Sequence, residues 1–74
     1  MNSVVLARTR SGSTYVLSVT GDGVHWFRLP SEGARLPWTA SGWEQSVPRI
    51  VPGERLLIGD LLTTPITTVS VLPA

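Results

Sequence analysis

Hydroxyls, arginines and indole rings carry what chemistry this chain offers. The run Thr9-Arg10-Ser11-Gly12-Ser13-Thr14-Tyr15 gathers hydroxyls around one guanidinium. A tight turn needs only a glycine and a residue that tolerates positive φ, so this run is richer than turning requires. It reads either as a solvated hairpin tip or as a loop of hydroxyl and backbone donors beside Arg10, suited to a phosphate or a sugar edge. Near the other end, Thr63-Thr64-Pro65-Ile66 reads as strand punctuation or as a rigid wall of hydroxyls beside a ligand. Trp26, Trp38 and Trp43 serve either as core or as ring faces, and a base stacked on such a face gains ~1–3 kcal/mol. All six basic residues are arginine. A codon bias explains that, and so does a site, since guanidinium forks suit phosphates and stack on rings.

Acid–base and metal chemistry find little support. His25 is the only histidine, there is no cysteine, and the carboxylates Asp22, Glu32, Glu44, Glu54 and Asp60 are scattered. That set offers no thiolate zinc site, no glycosidase pair of any specificity and no His–Asp spacing that implies a dyad. Phosphate-loop, dinucleotide and zinc-protease motifs are absent, and no helix start follows Gly21-Asp22-Gly23. The expectation is a non-catalytic protein without metal or cofactor. A net charge of +1 argues against duplex DNA. No apolar run reaches the ~20 residues of a membrane helix, and residues 1–7 do not make a signal peptide, so a cytoplasmic location is expected.

The elements that must position these residues are strands. Seventy-four residues make one domain, 1–74. Val4–Thr9 is apolar and β-branched, and Ser11-Gly12 turns it. Thr14–Thr20 alternates, with Tyr15, Leu17 and Val19 on one face; Val16 interrupts the other and implies partial cover there. Gly21-Asp22-Gly23 turns again, and Val24–Leu29 completes a meander. Pro30–Pro52 reads as a long loop, whose tryptophans argue against disorder. Arg55–Ile58 is a short buried strand turned by Gly59-Asp60, Leu61–Pro65 connects, and Ile66–Leu72 is the last strand. A helix over Glu54–Leu62 competes, at a cost of about 1 kcal/mol for Gly59 in its interior. The fold expected is all-β, a small barrel or curled antiparallel sheet of about five strands with a long loop.

The ordered set of motifs resembles a group of short phage proteins with a T-x-S-G-S-x-Y opening. In that group a sheet leads to an Arg-Arg or Trp-Arg pair, then a loop with a tryptophan. A Val-x-x-Gly-x-x-Leu stretch follows, then a terminal Ser/Thr-Pro-Val-x-Ser/Thr. This chain answers with residues 9–15, Trp26-Phe27-Arg28, Trp43, Val51-Pro52-Gly53-Glu54-Arg55-Leu56 and Thr64-Pro65-Ile66-Thr67-Thr68. It departs in having one arginine where two are common, Val16 where an acid is common, and Gly53 closer to Val51. The group is taken to include the sponges that sequester cyclic nucleotide immune signals of bacterial anti-phage systems. The resemblance then implies a homo-oligomer that binds a cyclic nucleotide without cleaving it.

On that reading the ligand-binding residues are Thr9, Arg10, Ser11, Ser13, Tyr15, Trp26, Arg28, Trp43, Thr64 and Pro65. Clustering of Arg10, Arg28 and Arg55 about one cleft favours a nucleotide; scattering favours a protein partner, as for a phage structural or accessory module. A single-stranded nucleic-acid binder is a third reading. A nucleotide pocket needs ~300–1,000 Å³, more than so small a barrel can hollow out, which places the site between subunits. With neither disulfide nor metal to stabilise a thin core, oligomerisation is expected on physical grounds too.

Overall fold

The computed structural model describes residues 2–31 and 39–73. Six strands form one antiparallel sheet: β1 (Ser3–Thr9), β2 (Thr14–Thr20), β3 (Gly23–Leu29), β4 (Ala40–Glu44), β5 (Arg55–Ile58) and β6 (Leu61–Pro73). The order is β4-β3-β2-β1-β6-β5. No helix is present among the described residues, and no helix is long and apolar enough to cross a membrane.

The meander forms where the sequence puts it. Tyr15 and Leu17 pair with Ala7 and Val5 on one side and with Arg28 and Trp26 on the other. These inward positions fill the core with Val24, Leu56, Ile58 and Ile66. Leu56 and Ile58 belong to β5, so the β5–β6 hairpin folds back across the inner face of the sheet. At its tip the Gly59 N–H donates to Glu44 Oε1 at 2.9 Å. Among the described residues the edges β4 and β5 are unpaired, so the all-β fold is a curled sheet and not a closed barrel.

Two elements differ from expectation. Part of the stretch read as loop is β4, which pairs with β3 from Val24↔Glu44 to Arg28↔Ala40. Its inner positions are Ala40 and Gly42, because the Trp26 indole lies against Gly42 and fills that space. A Cβ at Gly42 would meet Trp26 Cε2, Cζ2 and Nε1 at 2.8 Å. A strand whose inner face is occupied by a neighbour's side chain has no hydrophobic period to read.

The second difference is Leu61–Pro65, which is the first part of β6 and no mere connector; the helix over Glu54–Leu62 does not form. Pro65 sits inside a strand because the pairing is irregular on both sides of it. The β1 register shifts between Arg8 and Thr9, opposite Thr67, and the β5 register shifts between Arg55 and Leu57. Such bulges are where a strand tolerates the missing N–H. The Thr63 hydroxyl accepts from the Leu56 N–H at 2.9 Å in place of a ladder carbonyl.

Candidate binding site

The β1–β2 turn is closed by backbone bonds from Thr9 N to Ser13 O and from Gly12 N to Thr9 O, both 2.9 Å. Gly12 holds φ at +93°, a value that disfavours any side chain, and Ser31 Oγ would lie 2.9 Å from its Cβ. Because β6 pairs directly with β1, this tip meets Thr64 and Pro65 from the far end of the sequence. The Arg10 N–H donates to Pro65 O at 2.9 Å, and the Ser11 N–H donates to Thr64 Oγ1 at 3.2 Å.

The hydroxyl protons can be followed round this cluster. Thr64 donates to Ser11 Oγ at 3.3 Å, and Thr9 donates to Ser13 O at 3.3 Å. Each hydroxyl has one proton, so the 3.2 Å contact between Thr9 Oγ1 and Ser11 Oγ runs with Ser11 as donor. All three protons are thus directed inward, and the Ser31 hydroxyl donates to Ser11 O at 3.2 Å. The cluster offers lone pairs to a ligand and stiffens the tip; cationic donors must come from arginine.

Arginine is concentrated here. Arg8 pairs with Thr14 beside the tip, and Arg10 and Arg55 flank Pro65 on its two sides. Arg28 is buried, and one of its contacts is Nη2 to Ser13 Oγ at 3.2 Å. The described carboxylates lie elsewhere. Asp22 is in the β2–β3 turn, Glu44 pairs with Val24, and Asp60 adjoins the Gly59–Glu44 bond at the opposite end of the strands. Glu54 is the described carboxylate nearest the tip, and Arg49 holds it in a two-point ion pair, Nε–Oε1 3.0 Å and Nη2–Oε2 3.1 Å. That pairing pulls the Glu54 carboxyl below its ordinary value, chiefly through the hydrogen bond, and raises Arg49 for the same reason. Arg8, Arg10 and Arg55 have no such partner among the described residues. Among the described residues, the charges outside the Arg49–Glu54 pair are therefore separated along the strands.

The rings are placed otherwise than a single site with them requires. Trp26 is buried in the core against Gly42, and Tyr15 is buried beside Arg28, so neither offers a free face. Trp43 is exposed, but on the outer face toward the acidic end, 6.3 Å from the ring of His25. Trp38 lies outside the described residues. Comparison with family models, with curated proteins and with solved structures finds no match to any of them.

A ring does line the basic end, and it is Phe27. An open cleft of about 510 Å³ lies at the ends of β3 and β4, bounded by Phe27, Arg28, Leu29, Thr39, Ala40 and Ser41. Its volume is in the range of small-molecule sites, and it forms on the surface of one chain without hollowing the core. Sequence reasoning missed Phe27, Thr39 and Ser41. Alternation of His25, Phe27 and Leu29 along β3 signals an outward apolar residue beside Arg28, but nothing in the sequence signals the β4 wall. Among the described residues no group of three histidines, cysteines or carboxylates converges to hold a metal.

Proposed function

We propose that this protein is a non-catalytic binder of a small phosphate-bearing ligand, held at the basic end of the sheet. The polarisation of the charges carries this reading. Arg8, Arg10, Arg28 and Arg55 gather around the β1–β2 tip and Pro65, while Asp22, Glu44 and Asp60 lie at the other end. Arginine is suited to two-point recognition of phosphate, and a tip stiffened by its own hydroxyls fixes the backbone from which Arg10 projects. The adjoining cleft supplies an apolar ring, Phe27, and the hydroxyls of Thr39 and Ser41 for a base or sugar. The motif resemblance narrows the class to a cyclic nucleotide, sequestered as an immune signal in the cytoplasm of an infected bacterium.

The cleft stands open on one side, so a ligand this size would be only partly enclosed by one chain. The test is a thermal-shift panel of cyclic dinucleotides, cyclic oligonucleotides and cyclic ADP-ribose isomers. Isothermal titration of wild type and Arg10→Ala with any hit follows. Loss of the Arg10 guanidinium is expected to cost about 1.5–3 kcal/mol of binding, and the ligand should be recovered intact after heat release. No hit from the panel, or a cleaved product, refutes the reading. A protein-interaction module is the second reading, favoured by the exposed apolar residues of the outer sheet face.

A further inference from the structure

The outward side of the sheet sets large apolar side chains among Thr14, Ser18, Thr20, Ser41 and Ser70, where an antiparallel sheet facing water is expected to be polar throughout. Registered across the strands, Leu72 lies beside Val4, and Val16 lies between Leu6 and Phe27. Trp43 and His25 continue the outward rows into β4 and β3. Val4, Leu6 and Val16 are half-buried by their neighbours, and Phe27, Leu29, Trp43 and Leu72 are 42, 50, 52 and 49 % exposed. At the usual size of such side chains, those four alone leave roughly 400 Å² of apolar surface in water. That is as large as the largest patch on a typical monomer. The outward positions of β1, β2, β3, β4 and the second half of β6 include one charge, Arg8, and no carboxylate. The exposed pair Leu57 and Leu62 on the β5–β6 hairpin makes a second patch of about half that area.

Size and charge both say what fits. A face five strands wide and six residues long measures roughly 20 by 20 Å, and its pleated accessible surface is within reach of the ~800 Å² per partner of a standard interface. Its basic end carries Arg8, with Arg10 just beyond; at its other end stands the Asp22 turn. We infer that this face is the interface of a homodimer, in which two copies pack outer face to outer face with their strands antiparallel about a two-fold axis. In that arrangement the Arg8 end of each copy lies over the Asp22 end of the other, and Phe27 and Leu72 are buried near the axis. Two sheets packed face to face keep their strands within about 30° of each other, which preserves that overlap. Parallel packing sets the basic ends together and is repelled. The complementarity selects the orientation, and the apolar band supplies the affinity.

The inference does not rest on the nucleotide reading, since the interface is read out without any ligand; in this dimer Phe27 and Arg8 belong to the interface, and the phosphate site keeps Arg10, Arg28 and Arg55. Sedimentation equilibrium of the full chain should give twice the 8.0 kDa chain mass at micromolar concentration. Phe27→Arg and Leu72→Glu should each weaken association roughly tenfold or more while keeping the far-ultraviolet circular dichroism of wild type. Arg8→Glu should weaken it at low salt, and Arg8→Glu with Asp22→Arg should restore it. A monomeric wild type overturns the proposal and gives the face to a different partner. So does a dimer that survives both apolar substitutions, or one that responds to Leu57→Glu instead. Failure of the charge exchange to restore association overturns the antiparallel arrangement.

Discussion

Replacing Gly42 by alanine probes how the Trp26 indole closes the core. The added methyl carbon would lie 2.8 Å from indole atoms Cε2, Cζ2 and Nε1, where carbon contacts prefer roughly 3.5–4.0 Å. The ring must therefore retreat by nearly an ångström. It has little room, because Leu17 beside it and Ile58 in the same core are fully buried, and Gly59 closes on its Cζ2 edge. Overpacking of this kind costs typically about 1–3 kcal/mol. Gly42 is not among the glycines with positive φ, so alanine recovers about 0.4–1 kcal/mol by restricting the unfolded chain. The net expectation is a loss of about 1–2 kcal/mol, or a Tm lower by roughly 5–15 °C for a domain this size. The decisive measurement is the same substitution in a Trp26→Phe background, followed by urea and thermal unfolding. Phenylalanine lacks the outer part of the fused ring system that meets the methyl, and it removes the buried Nε1–H, which has no acceptor among the described residues. There Gly42→Ala should be neutral or stabilising, a coupling of about 1 kcal/mol or more. Equal losses in the two backgrounds refute the contact; a raised Tm in the wild-type background refutes the packing argument outright.

Thr64→Val and Ser11→Ala break the same hydroxyl chain, so each should cost roughly 0.5–1.5 kcal/mol and the double variant less than their sum; strict additivity in urea unfolding rules the chain out. Thr64→Val should also weaken ligand binding less than Arg10→Ala, since its hydroxyl proton is already committed to Ser11. For Glu54, the folded carboxyl is held below its ordinary 4.5 by Arg49, so the pair contributes fully above that pH and is lost as pH falls through the lowered value. Both side chains are exposed, so the effect on stability is small and salt-sensitive. Arg49→Gln should return the Glu54 titration, followed by NMR, to its ordinary range; an unmoved titration refutes the two-point pair.

Along the chain, local pattern determined most of the strands. Alternation at Thr14–Thr20, the glycine turns at 12 and 21–23, and the β-branched run after Pro65 are all short-range signals, and each became the element expected. The partial cover read from Val16 is not supplied by the described residues: its side chain lies on the outer face, which none of the six strands covers. The meeting of Arg10 and Ser11 with Thr64 and Pro65 follows from the sequence only if a closed barrel makes first and last strands neighbours. They meet by direct pairing of β1 with β6, not by closure of a barrel. Tertiary structure alone decided the rest. β4 has no period because Trp26 occupies its inner face, so its sequence carries no record of its own packing. Trp26 and Trp43 are the same residue type, yet the pairing register sends one into the core and the other out beside His25. Net charge is a sum and holds no geometry. Only the antiparallel register, by setting Arg8, Arg10, Arg28 and Arg55 at one end of the strands and Asp22, Glu44 and Asp60 at the other, separated these described charges into a basic and an acidic end.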